Sequence, residues 1–179
     1  MVTIIADEGY EKIGEKLKNK LLDNKVDVVY IPLENVNVEP CISCGGCTYK
    51  TYGKCVIRDD GDWIYPKLIR SDLQIYVTPI TFGGYSFKTK RVLDKCALIM
   101  DRHYMVDNKE LVKAGMLDKR FKMILVGVNH DNVEAEKKAF QKLFNEILII
   151  ARGIGKCYIT DSTEDLGILD SIVKEIKLI

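Results

Sequence analysis

The sequence predicts a parallel α/β sheet with helices on both faces. Two observations carry this. Short apolar runs rich in β-branched residues alternate with amphipathic segments along all 179 residues, the pattern that βαβ units leave in a sequence. No internal repeat, low-complexity tract or linker interrupts the alternation, so 1–179 reads as one domain with a sizeable core.

The elements follow in order. Val2–Ala6 is a short buried strand. Gly9–Asn24 carries Tyr10, Ile13, Leu17 and Leu21 on one helical face. Val26–Ile31 is a second strand. An irregular stretch from Pro32 to Asp60 follows, with a cysteine-rich loop over 35–60. Asp62–Arg70 reads as a short helix with Pro66 in or near its first turn. Asp59 and Asp60 suit the cap of that helix better than a metal or acid–base pair, and Trp63 is expected to pack it onto the cysteine loop. Leu73–Thr78 is a third strand, and Ser86–Leu98 a helix with Phe87, Val92 and Leu93 among its apolar positions. The segment 100–120 reads as an excursion with one short helix. Phe121–Val128 is the most apolar strand. Asn132–Arg152 is an amphipathic helix with a stripe of Phe140, Leu143, Phe144, Ile147, Leu148 and Ala151, ended by Gly153. Lys156–Thr160 is the fifth strand. Ser162 with Asp165 resembles a capping box, and the last helix buries Leu166, Leu169, Ile172, Val173 and Ile176. Five such units fit a flavodoxin-like three-layer sandwich of strand order 2-1-3-4-5, whose ligands bind beyond the carboxyl ends of the strands near the switch point between strands 1 and 3.

Net charge is +1 without a basic stripe, so nothing favours nucleic acid as a partner. No apolar run reaches the roughly 18 residues of a membrane helix, and Met1–Ile5 is too short for a signal-peptide core. The expected setting is cytoplasmic, where thiols stay reduced. Four of the six cysteines form the pattern C-x2-C-x2-C-x7-C at Cys41, Cys44, Cys47 and Cys55. Such spacing lets thiols converge, as in an iron–sulfur or zinc site. Cys96 and Cys157 read as inert core residues.

The loop after the third strand is the second informative segment: Thr78, Pro79, Ile80, Thr81, Phe82, Gly83, Gly84, Tyr85, then Ser86. Its glycines permit a flat ligand to approach the backbone, and Phe82 and Tyr85 can stack on a ring; a loop that merely covers the sheet edge is the plainer reading. Elsewhere, His103 reads as a surface residue and His130 as a rim residue with a turn-and-cap role. Arg152–Lys156 lacks the spacing of a phosphate loop.

Taken together, the cysteine loop, the paired Asp59 and Asp60, the loop Thr78–Ser86 and the helix bearing Lys90 and Asp94 resemble the flavodoxin-like NAD(P)H-dependent FMN reductases, and within them the iron–sulfur flavoproteins. The likeness is strong over about 40–95. It implies bound FMN, reduction by NAD(P)H, a small-molecule or electron-carrier acceptor, and a homodimer or higher homo-oligomer. Thr78 to Tyr85 would border the flavin ring, with the amides of Phe82, Gly83 and Gly84 donating to its polar edge. The four clustered cysteines would hold a [4Fe–4S] cluster on the same rim as the flavin; free thiols, zinc and a disulfide are the alternatives.

One segment departs from the family. After strand 1 the family places a longer loop, rich in Ser and Thr, around the FMN phosphate. This chain has Ala6, Asp7, Glu8, Gly9 and Tyr10 and then a helix. Two carboxylates stand where a dianion should bind. Either FMN binds weakly with Lys12 reaching its phosphate, or a flavin lacking that contact or another flat ligand binds, or flavin binding has been lost. The leading expectation is a flavin-dependent oxidoreductase; the alternative is a non-catalytic scaffold that binds a metal or partner through its cysteine loop.

Overall fold

The computed structural model describes residues 1–114, 121–162 and 166–176. Five parallel strands form the sheet: β1 (Val2–Ala6), β2 (Val28–Pro32), β3 (Leu73–Pro79), β6 (Lys122–Val128) and β7 (Ile154–Thr160). Their order is β2-β1-β3-β6-β7, the expected 2-1-3-4-5 once two extra strands are set aside. Register runs in step across the sheet, with Ile4 opposite Tyr30 on β2 and Ile75 on β3.

Side-chain alternation along the strands divides the core into two layers. Ile4, Ile75, Ile124 and Val126 point to the face covered by α1 (Glu11–Asp23) and α6 (Leu166–Ile176). Ile5, Tyr76, Met123 and Leu125 point to the face covered by α3 (Gly61–Arg70), α4 (Phe87–Lys95) and α5 (Glu134–Ala151). Helix α1 lies close on the sheet because Gly14 has no side chain. A Cβ there would stand 2.6 Å from the Tyr30 ring and 2.7 Å from the Ala6 Cβ.

Several local expectations change. The excursion after α4 contains no helix among its described residues. It is a hairpin of β4 (Tyr104–Asp107) and β5 (Glu110–Lys113), turned by Asn108 and Lys109, both at positive φ. Pro66 falls in the second turn of α3 rather than the first, on its exposed side. Trp63 does not pack on the cysteine loop. It is 39% exposed, lies under the Lys67 ammonium and donates its indole N–H to Asp60. On α4, Phe87 is exposed, while Val92 is buried and Leu93 partly so. On α5, Phe140 and Phe144 are buried but Leu143 is exposed, and the left-handed residue that ends the helix is Arg152, not Gly153. In α6, Leu169, Ile172 and Val173 are buried. Asp165 of the expected capping box and the Leu166 side chain lie outside the described residues. No helix among the described residues is long and apolar enough to cross a membrane.

Candidate functional site

The winding of the sheet reverses between β1 and β3, so their carboxyl ends leave the crevice where such folds bind ligands. Asp7, the first residue after β1, lies there and is only 3% exposed. Its carboxylate accepts hydrogen bonds from Thr78 Oγ1 (3.1 Å) at the end of β3, from Ser86 Oγ, and from Thr89 Oγ1 (2.7 Å) on α4. The donors are themselves ordered. Ser86 is the N-cap of α4 and accepts the Thr89 amide, while the Ser86 amide donates to Thr78 Oγ1. Three hydroxyls at a helix N-terminus form an anion hole, and here the chain's own carboxylate fills it.

The rest of the first loop is equally engaged. The Asp7 amide donates to Val77 O (2.9 Å), Glu8 to the Asp7 side chain (2.9 Å), Gly9 to the Glu11 carboxylate (2.9 Å), and Tyr10 to Asp7 O (3.0 Å). Lys88, a cation at this rim, pairs with Glu8 at 2.6 Å. Lys12 stands exposed on the first turn of α1. Tyr10 bonds His130 Nε2 at 2.7 Å across the rim, which gives His130 a partner beyond its own turn. Burial, and then the nearby Asp7, hold the Tyr10 phenol above its usual pKa.

The loop after β3 is built differently. Thr81 and Gly84 exchange two backbone hydrogen bonds (3.0 and 2.9 Å). Phe82 and Gly83 between them both have positive φ, 49° and 74°, a two-residue turn of the type that favours glycine at its second position. Gly83 packs on α5, where a Cβ would stand 2.8 Å from that of Ala139. Phe82 is lifted to the tip, 96% exposed. Its amide and that of Gly83 have no hydrogen-bond partner among the described residues, whereas the Gly84 amide is held within the turn. Ile80 packs into the core beside Phe140, and Thr78 belongs to the Asp7 cluster. Tyr85 turns inward, edge-on to Phe140 at 5.4 Å, with its hydroxyl buried and unpartnered among the described residues. Burial pushes that phenol's pKa up. Of the two aromatic rings expected to stack on a ligand, Phe82 alone is presented to solvent.

The cysteine loop is clamped at its base. Asp59 accepts the amides of Glu39 (2.8 Å) and Gly61 (2.8 Å) and pairs with Lys95, both side chains almost fully buried. The cap on α3 therefore comes from Asp59. Asp60 binds back to the Asn37 amide (2.7 Å), and that bond, with the Trp63 indole, lowers its pKa. Beyond the clamp, Gly45 at positive φ starts the single turn α2 (Gly46–Tyr49). Cys41, Cys44, Cys47 and Cys55 all line one pocket of about 30 Å³, closed by Asp94, Lys95, Ala97 and Leu98. That space holds a water or two. The thiols are free, Cys41 and Cys44 exposed and Cys47 and Cys55 half-buried. No three His, Cys, Asp or Glu side chains among the described residues close on a single metal position. The four-thiol set is the right chemistry for a cluster that takes one thiolate per iron. The pocket sits at the carboxyl end of α4, whereas the Asp7 cluster sits at its amino end. Nine helical residues separate the two by about 13 Å.

Cys96 is buried and Cys157 partly so, and burial pushes each thiol up to about 12; both are inert, as expected. His103 bonds its neighbour Asp101 at 2.9 Å on the surface.

A sequence model of the NADPH-dependent FMN reductases matches residues 10–151. The chain belongs to that family. It is 34% identical over 85 residues to an iron–sulfur flavoprotein of Methanosarcina thermophila, covering 48% of this chain and 42% of that one. It is 35% identical over 77 residues to an iron–sulfur flavoprotein of Methanocaldococcus jannaschii, covering 43% and 39%. The chain thus matches less than half the length of these curated relatives. Among solved structures, a flavone reductase superposes with a TM-score of 0.62 at 14% identity, over 98% of this chain and 59% of that one. An FMN-dependent NADH-azoreductase from Bacillus anthracis gives 0.54 at 15%, over 98% and 96%. At such identities these likenesses establish the flavodoxin-like fold.

The family's cofactor can be tested against the residues at the rim. A flat ring fits the Thr81–Gly84 turn, with its exposed Phe82 and two open amides. A phosphate does not fit the first loop, where four successive amides, three hydroxyls and Lys88 are already held by the chain's own groups. The sequence reading missed Ser86 and Thr89. Hydroxyl residues at both the N-cap and the third position of α4, set against an Asp that follows a buried strand, were the available signal.

Proposed function

We propose that this chain is a flavin-dependent oxidoreductase that docks the isoalloxazine ring against the Thr81–Gly84 turn. It would take reducing equivalents from NAD(P)H or a reduced carrier and pass them to a small acceptor. The observation that carries this reading is the turn itself, which holds an apolar ring in water beside two unpartnered amides. An exposed phenylalanine beside open amides suits a planar ligand with polar edges. The family match supports the same ligand. A bound flavin supplies the electron and hydride chemistry itself. The chain's task is to seat the ring, exclude water from one face of it and leave the other face open to donor and acceptor.

The four-thiol pocket supports a second redox centre, an iron–sulfur cluster on Cys41, Cys44, Cys47 and Cys55, which the likeness to iron–sulfur flavoproteins also favours. Exposed Tyr104, Val106 and Leu111 on the hairpin favour a homo-oligomer as the working form.

The test is an anaerobic purification followed by a visible spectrum before and after adding riboflavin and FMN. Bound flavin gives bands near roughly 370 and 450 nm, and Phe82→Ala should weaken its binding at least tenfold. A colourless protein that takes up neither flavin would overturn the reading.

A further inference from the structure

We infer that Asp7 is a built-in substitute for a phosphate, and that the flavin this chain selects is one without a terminal phosphate group, of the riboflavin kind. The inference rests on the flavin reading above and names the ligand of that site.

In a sheet of this order, a nucleotide-type ligand lies across the β1/β3 switch point, and its phosphate seeks amides and hydroxyls at a helix N-terminus. The side-chain hydroxyls that could serve a phosphate at this point are those of Thr78, Ser86 and Thr89, and all three converge on one carboxylate oxygen of Asp7. The other oxygen takes the Glu8 amide. Asp7 is not a surface acid that swings aside. It is buried, and its own amide and carbonyl are bound to Val77 and Tyr10.

Charge completes the case. A phosphate at this crevice would face the Asp7 carboxylate directly and Glu8 and Glu11 beside it. Of the cations at this rim, Lys88 is bound to Glu8 at 2.6 Å and reaches back to the Leu33 carbonyl at 3.4 Å, while Lys12 stands exposed on the first turn of α1. Like charges at such range repel more strongly as water is excluded. A neutral polyol chain meets no such opposition, because it can donate to Glu8 and Glu11 and run past the filled hole. The specificity is therefore written as repulsion of the phosphorylated ligand rather than as extra contacts to the other.

The experiment is a pair of equilibrium titrations, riboflavin and FMN, followed by quenching of flavin fluorescence on the full chain. The wild-type protein should bind riboflavin at least as tightly as FMN. Asp7→Ala empties the hole but leaves its hydroxyls, and should shift the ratio toward FMN by at least tenfold, about 1.4 kcal/mol. Asp7→Asn, which keeps the shape and removes the charge, should shift it the same way and serves if the alanine variant does not fold. Tighter binding of FMN than riboflavin by the wild-type chain overturns the inference and leaves the flavin reading standing. So does an Asp7 variant whose ratio does not move. Failure of both flavins to bind removes the flavin reading and the inference with it.

Discussion

The two ends of α4 are opposites. At its amino end the hydroxyls are spent: Asp7 is buried, and those of Thr78, Ser86 and Thr89 all donate to it. At its carboxyl end four thiols line a pocket of about 30 Å³, two of them exposed. The first region is complete without a ligand. The second has the groups for one and is not arranged as a finished site. A set of ligating residues in a sequence is thus not equivalent to a site, and a set of anion donors in a fold is not free for an anion.

The comparison can be broken most forcefully at the clamp between the two regions. Asp59→Ala leaves the buried Lys95 ammonium without its partner and frees the Glu39 and Gly61 amides. It should cost about 3–5 kcal/mol in urea unfolding and speed labelling of Cys47 and Cys55. A loss under about 1 kcal/mol would mean that the pair does not hold the cysteine loop.

A smaller loss is expected at the amino end. Thr89→Val keeps the volume and removes one donor to a buried carboxylate, so it should cost about 1.5–3 kcal/mol without altering thiol labelling. If the variant were as stable as the parent, the anion hole would not be the tight cluster described. Cys47→Ala should change stability by less than about 1 kcal/mol, since the side chain is only half-buried. After anaerobic incubation with iron and sulfide it should nonetheless lose most of the iron that the parent takes up. Equal iron in both would remove Cys47 from the ligand set.

The last contrast is kinetic. At pH 8 a thiol reagent should modify Cys41 and Cys44 quickly, Cys47 and Cys55 more slowly, and Cys96 and Cys157 hardly at all. Burial raises the last two to about 12, so their thiolates are scarce at pH 8 and their rates should climb as pH rises toward 12. The same shift links to stability. The unfolded chain releases these protons near pH 9 and the folded chain near 12, so the contribution is whole below 9 and falls away between 9 and 12. Rapid labelling of Cys96 at pH 8 in the folded protein would contradict this.

The fold was legible because its signals are local. Val2–Ala6, Leu73–Pro79 and Lys122–Val128 are apolar on both faces, as central parallel strands must be, and the α5 stripe found Phe140 and Phe144. The hairpin was not, because Tyr104–Lys113 has little burial to impose a clear period. At the site, the cysteines and the Thr78–Tyr85 loop stood out by composition. The roles inside them did not: whether Phe82 or Tyr85 faces water depends on a turn with two positive φ angles and on Phe140, 55 residues further along the chain. Asp7 looked like an obstacle because its charge was visible and its hydroxyl partners, 71 to 82 positions away, were not.

The most direct test of the filled anion hole looks at the phosphate itself. The phosphorus NMR signal of FMN is followed from pH 5 to 8 with enough protein to quench the ring's fluorescence. The account predicts a narrow signal that titrates near pH 6, as a solvent-exposed phosphate does, while the ring is bound. A broadened signal held as the dianion across that range would place the phosphate in the hole and contradict it.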